Sequence, residues 1–244
     1  MSRSTRTVEL ETTPASAPET VLPDAFPHDE SDASPRMSPR PRRLKVLRWI
    51  PNGWLTTVGP TVDRALYLTF DDGPHPEHTG PLLDLLAEHN AKASFFLIGQ
   101  QIERHPELAR RIAEEGHTLG NHSYSHPRFE TLSLDEQFAE IDRTDALLAS
   151  IDGQARHGFR PPRGVLTVPM LARCIRQGRK ILYWSYDSLD YSRRPVAELL
   201  EAIEGSPVRA GEIILMHDDS DHSLKLLAHL IPQWKAEGFA LKAL

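Results

Sequence analysis

The sequence predicts an α/β protein built as a parallel sheet or barrel. Two observations point there. Apolar strand-like runs alternate with amphipathic helical runs from about Leu66 to the C-terminus. Every unusual polar cluster in that stretch directly follows a strand-like run, and in parallel α/β folds the site is built at the carboxyl ends of the strands.

The elements are expected in the following order. Leu66–Phe70 reads as a buried strand, stopped by Asp71-Asp72-Gly73-Pro74. A helix over Pro81–His89 leads to a strand at Ser94–Ile98, and a helix over Pro106–Glu115 leads to His117–Leu119. The next helix covers Leu134–Ser150, where Ser133 and Glu136 have the spacing of a capping box. Strands at Gly158–Arg160 and Ile181–Tyr186 flank a helix over Val168–Gln177. Helices over Val196–Glu204 and Leu224–Ala236 flank a strand at Ile213–Met216, and Phe239–Leu241 closes the series. Gly116, Gly178 and Gly238 stand just past helical runs, where a left-handed residue ends the helix.

Before this domain the composition changes. Residues 1–45 are rich in Pro, Ser, Thr and charge without any period, and read as a disordered tail in which Met37 offers a second start. Residues 46–65 read as an N-terminal cap segment, and 66–244 as the folded α/β domain. The basic stretch 36–55, with Trp49 and Trp54, is a candidate for weak contact with a membrane surface. No apolar run approaches the ~18 residues of a transmembrane segment. No apolar leader opens the chain, so a cytoplasmic location is expected.

Composition narrows the function classes. A formal charge of -6 argues against a nucleic-acid partner. The single cysteine, Cys174, excludes a disulfide framework or a cysteine-rich zinc site, and its apolar helical surroundings mark it as a core residue.

The polar clusters carry the chemistry. Asp71-Asp72 follow the first strand, His122 and His126 lie in HSYSH, Arg160 opens RPPRG, Asp187 and Asp190 lie in DSLDY, and His217 ends ILMH. Two histidines and a carboxylate form a common zinc triad that leaves room for water and substrate. Neighbouring strand residues point to opposite faces, so both aspartates reach one site only if the strand ends there, as Gly73-Pro74 requires. Adjacent carboxylates repel, and a metal on one frees the other to act as a base. Pro161 and Pro162 lack N–H groups, which makes the Arg163 amide the first donor after Arg160, suited to an oxyanion.

TFDDGP, HSYSH, RPPRG, DSLDY and ILMH, in that order, closely resemble the five motifs of the polysaccharide deacetylases, carbohydrate esterase family four. KASFFLIG and EEGHTLGNHSYSHP are similar to the stretches around the first two. The resemblance spans Leu66 to Leu244 and implies that 66–244 is the catalytic domain. It implies a distorted (β/α)7-type barrel and a divalent metal, Zn2+ or another such as Co2+, held by Asp72, His122 and His126. It implies Asp71 as general base held by Arg160, and His217 as general acid tuned by Asp190. The Arg163 backbone N–H would face the oxyanion, and Leu215 would line the acetyl pocket. The implied substrate is an acetylated glycan, and the implied reaction is removal of N-acetyl groups with release of acetate.

Two positions depart from the family pattern. Arg163 stands where an aromatic is usual, and Tyr191, beside the acetyl pocket, stands where a tryptophan is usual. The chemistry survives both changes, while the identity of the glycan is left open. An O-acetyl esterase, a formamide hydrolase and a glycan-binding domain without turnover are the alternatives.

Overall fold

The computed structural model describes residues 39–40, 50–192 and 194–244. All of the expected tail except Pro39 and Arg40, most of the 36–55 stretch and the first part of the cap lie outside the described residues. Within them the chain alternates as expected. β1 (Leu55–Thr56) and β2 (Ala65–Asp71) come first, then α1 (Thr79–Glu88), β3 (Ser94–Leu97), α2 (Gly99–Arg104), α3 (Pro106–Glu114) and β4 (Thr118–Asn121). The second half contributes α4 (Leu134–Asp152), α5 (Val168–Arg176), β5 (Ile181–Leu182), β6 (Tyr186–Asp187), α6 (Val196–Glu204), β7 (Ile213–His217), α7 (His222–Ala236) and β8 (Ala240–Lys242).

All ladder pairings are parallel. The main sheet runs β4-β3-β2-β7-β6, with β8 beside the first half of β2, and β1 pairs with β5. Single bridges join the two sheets. Phe159 links Asn121 on one side to Ile181 on the other, and Val58 returns to Glu212 at the foot of β7. The result is a distorted barrel of short parallel strands.

Parity along the strands separates two apolar layers. Leu66, Leu68 and Phe70 of β2 join Ile214 and Met216 of β7 in the layer that packs under Leu82, Leu83 and Leu86 of α1 and Leu226 and Leu230 of α7. Ala65 and Tyr67 share the opposite layer with Ile213 and Leu215, together with Phe159, Tyr183 and Trp184. That second layer fills the barrel. Continuing its phase to the strand ends delivers Thr69 and Asp71 on β2, and His217 on β7, to the barrel mouth. Asp71 and His217 are register partners there.

Local rules account for most element ends. Ser133 caps α4 through the Glu136 amide while the Glu136 carboxylate accepts from the Ser133 amide, completing the capping box. Gly116, Gly178 and Gly238 all take left-handed φ values.

Three expectations need correction. The strand at Gly158–Arg160 is reduced to the bridged residue Phe159, because Pro161 and Pro162 cannot extend a ladder. The strand at Ile181–Tyr186 breaks into β5 and β6, because the carbonyls of Leu182 and Tyr183 accept from the Arg160 guanidinium instead of continuing a ladder. Helix α2 was not foreseen, since GQQIER buries only Gly99 and Ile102 and shows no period. Of the expected cap, the described part includes β1, which adds a strand to β5. Upstream, the Asp187 amide donates to the Pro39 carbonyl at 2.8 Å, and Arg40 pairs with Glu212 at 2.7 Å. No helix among the described residues is long and apolar enough to cross a membrane.

His117 provides a stability test of this packing. Its Nδ1 accepts from the Ala93 amide at 3.1 Å, and burial, with Lys92 adding, takes its pKa from 6.5 down to about 4. A histidine held neutral contributes its full stability above the unfolded value and loses it as pH falls. Stability should therefore decline between pH 6.5 and about 4. His117→Asn keeps an acceptor without a titrating ring and should flatten the part of that decline due to His117, read as urea midpoints across the range.

Candidate active site

The site begins with the end of β2. Asp71 is its last residue, and Asp72 adopts a left-handed conformation, φ 77°. That single dihedral turns the second carboxylate to the same rim as the first, and aspartate tolerates it better than most residues. Gly73 follows because a Cβ there would lie 2.2 Å from the Asp218 carboxylate. The loop is tied down by the Ile98 amide donating to the Gly73 carbonyl at 3.0 Å and the Asp218 amide donating to the Asp71 carbonyl at 3.3 Å.

The second motif is held from three directions. Glu140 of α4 accepts from the amides of Tyr124 and Ser125 at 3.0 and 2.7 Å. The first amides of α2, from Gly99 and Gln100, donate to the carbonyls of Ser123 and Tyr124 at 3.0 and 2.9 Å. Asn121 accepts from the Ser123 amide, while its own NH2 group donates to Asp145 in a buried cluster with Arg179. Ser123 and His126 both sit at positive φ, 67° and 53°. Strain retained by non-glycine residues at one rim is a feature of functional sites.

These constraints bring His122 and His126 to Asp72. Nε2 of each imidazole lies 3.5 Å from Asp72 Oδ1, and one ligand atom from each of the three residues lies within 4.8 Å of the others. His122 Nδ1 faces the Arg160 carbonyl at 2.8 Å, so Nδ1 carries the proton and Nε2 presents a lone pair. Burial, reinforced by the neighbouring His126, takes the His122 pKa down to about 3. Asp72 Oδ1 is buried and has no hydrogen-bond partner among the described residues. A carboxylate oxygen facing a lone pair with no proton between them is an arrangement that a cation resolves. The N2O donor set fits a divalent metal such as zinc, with positions left open.

The remaining expected residues surround this trio. Arg160 is fully buried inside the barrel, under the Phe96 ring at 4.0 Å. Its Nη1 donates to Asp71 at 2.7 Å and to Thr69 Oγ1 at 2.9 Å. Burial raises the Asp71 pKa, with Arg160 and His217 opposing. His217 Nδ1 lies 2.9 Å from Asp190 Oδ1, and the His217 amide donates to Asp190 Oδ2 at 2.6 Å. Burial would push the His217 pKa down, but the Asp190 charge and hydrogen bond overcome it and hold the ring well above 6.5. Tyr191 packs edge-on against the His217 ring at 5.5 Å, and Leu215 is buried two residues before His217, in the same inward phase. Arg163, φ 55°, lies in the turn Pro162–Gly164, whose Gly164 carbonyl accepts from Tyr183 Oη at 2.7 Å.

A family model for polysaccharide deacetylase matches residues 58–181. The chain belongs to the polysaccharide deacetylase family. A chitooligosaccharide deacetylase of Rhizobium leguminosarum bv. trifolii is 35% identical over 196 residues, covering 75% of this chain and 91% of the relative. The solved peptidoglycan N-acetylglucosamine deacetylase Bc1960, in complex with 4-naphthalen-1-yl-N-oxidanyl-benzamide, is 34% identical with a TM-score of 0.74, covering 81% of this chain and 93% of its own. BA3943 of Bacillus anthracis, a carbohydrate esterase family four pseudoenzyme, is 25% identical with a TM-score of 0.72, covering 80% and 68%. The polysaccharide deacetylase fold therefore accommodates a pseudoenzyme as well as enzymes, which gives weight to the residues themselves. In this polysaccharide deacetylase Asp71, Asp72, His122, His126 and His217 are all present.

Several supporting residues had escaped the sequence reading. Thr69, Asn121, Glu140 and Asp218 are polar residues within or beside apolar runs, or on a helix face. Glu140 carried no local signal, but Thr69 opens TFDDGP and Asn121 directly precedes HSYSH. Asp218 directly follows ILMH. It is buried, accepts from Thr79 Oγ1 at 2.6 Å, and burial raises its pKa to about 7.

Proposed function

We propose that the protein is a metal-dependent hydrolase that removes N-acetyl groups from a poly- or oligosaccharide containing N-acetylglucosamine. The observation that carries this reading is the convergence of Asp72, His122 and His126, flanked on one side by Asp71 with Arg160 and on the other by His217 with Asp190. The names of the relatives support the substrate class.

Asp72, His122 and His126 would hold the divalent cation, which when bound supplies Lewis-acid polarisation of an acyl carbonyl and makes water more acidic. Asp71, oriented by Arg160, takes the proton of the attacking water. His217 keeps Nδ1 on Asp190 and offers the Nε2 proton to the departing amine, since an amine cannot leave as an anion near neutral pH. The Arg163 amide would meet the developing oxyanion. Leu215 and Tyr191 enclose the acetyl methyl.

The dedicated acid favours an amide over an ester, because an alkoxide leaves more readily without protonation. Acetate release from N-acetylated and O-acetylated sugars, with and without chelator, tests the reading. We expect release from the N-acetylated sugars, its loss on chelation, and its recovery with Zn2+ or Co2+. Undiminished release in chelator would refute the metal. Release from O-acetylated sugars alone would make the protein an esterase, and binding without release from any of them would make it a glycan-binding domain.

A further inference from the structure

Two residues of the stretch that reads as tail are packed against the barrel. Pro39 is buried and Arg40 is half-buried. Both precede residues 58–181, where the family model matches. The Arg40 guanidinium donates to both carboxylate oxygens of Glu212, Nε to Oε1 at 2.7 Å and Nη2 to Oε2 at 3.1 Å. Nη1 donates to Ser206 Oγ at 2.6 Å, and Nη2 also donates to the Pro207 carbonyl. The same group lies over the Tyr186 ring, 5.1 Å from its centroid, and the Tyr186 hydroxyl donates to the Ser206 carbonyl at 2.9 Å. An exposed ion pair contributes little, but this fork is bidentate, and the Glu212 side chain is only 9% exposed.

The anchored arm lies on the strand that leads to the proposed acid. β6 is the last strand of the main sheet, two residues long, and its ladder partner is β7. So short a ladder does little to fix the strand. The Asp187 amide, in a buried residue, donates to the Pro39 carbonyl at 2.8 Å, so the arm supplies a buried donor with its acceptor. From Asp187 the chain reaches Asp190 through one tight, buried loop. Asp187 Oδ1 accepts from the Leu189 amide at 2.8 Å, and Leu189 is left-handed, φ 63°. The Ser188 amide donates to the Leu215 carbonyl at 3.1 Å, and Ser188 Oγ accepts from the Asp190 amide at 3.3 Å. Asp190 then holds His217 through both carboxylate oxygens. Displacing β6 at Asp187 would therefore displace the carboxylate three residues later.

We propose that Arg40 is a positioning residue for the reaction: it locks the N-terminal arm onto β6 and so holds Asp190 where it orients His217. This rests on the deacetylase reading above, in which His217 is the acid. The test uses the full chain and compares kcat/KM on an N-acetylglucosamine oligomer with kcat/KM on 4-nitrophenyl acetate, whose leaving group needs no proton. Arg40→Ala should lower the amide-to-ester ratio by about tenfold or more, since misplacing a group by about 1 Å can cost on the order of 10²-fold. The ratio cancels any loss of folded enzyme. Zinc affinity should not change, because Asp72, His122 and His126 stand on other loops. Arg40→Ala also leaves the Glu212 carboxylate without its guanidinium and should lower the melting temperature. Arg40→Ala/Glu212→Gln removes that charge and should regain melting temperature without regaining the ratio. An unchanged ratio in both variants, a ratio that recovers with the melting temperature, or a matching loss of zinc affinity would overturn the proposal. If the wild type releases no acetate from the oligomer, the deacetylase reading fails instead. Amide hydrogen exchange over residues 187–191 then still decides the role of Arg40: faster exchange in the double variant supports it, and unchanged exchange overturns it.

Discussion

Replacing Asp71 by asparagine should lower kcat by roughly 10²–10⁴-fold, the usual contribution of one positioned base, and leave metal affinity nearly unchanged. The two halves of this result separate the adjacent aspartates. Asp71 points inward in the phase of Thr69 and is engaged by Arg160, whereas Asp72 carries the orphaned oxygen between the two imidazoles. Asparagine keeps an oxygen to accept from Arg160 Nη1, and that guanidinium retains Thr69 and the carbonyls of Leu182 and Tyr183. Alanine would leave a fully buried cation without its partner, a loss of about 3–5 kcal/mol in comparable buried pairs. Asparagine is therefore the informative change, with zinc titration and thermal melting as companions to acetate release. Unimpaired turnover by Asp71→Asn would remove Asp71 from the mechanism. Loss of the metal would mean that the two carboxylates exchange roles.

The second large effect is expected at His217. Its removal in His217→Ala should also reduce kcat by about 10²–10⁴-fold on N-acetyl substrates. The loss should be smaller on activated esters, whose leaving groups need no proton. The finer test is Asp190→Asn. Asp190 raises the His217 pKa against the opposing effect of burial. An acid must be protonated to act, so activity falls as pH rises through the His217 pKa. Removing the Asp190 charge lowers that pKa, and the alkaline limb of the kcat profile should move to lower pH. An unmoved limb would show that another group controls it. A limb that moved upward would contradict the sign of the Asp190–His217 interaction.

How much of this was legible beforehand depended on the range of the interaction. The strand and helix alternation, the capping box at Ser133 and the left-handed glycines are written in residues close to one another. So are the five motifs, whose spacing within each loop is short. The phase of β2 was not legible, because the strand is buried along its whole length and shows no alternation of polar and apolar residues. The break after Leu182 was hidden for a different reason. The Arg160 guanidinium takes the carbonyls of Leu182 and Tyr183 from 22 and 23 residues away, a competition that no local propensity records. Helix α2 is also a product of distance, its first amides satisfied by the carbonyls of the HSYSH loop.

The sequence by itself determined the fold class, the family and which side chains could do chemistry, because propensity, caps and motif spacing act over a few residues. Only the tertiary structure decided that the second carboxylate turns to join two imidazoles. The same holds for Arg160, buried beneath Asp71. Those outcomes depend on burial and on partners brought together from distant segments, and both exist only once the barrel has closed.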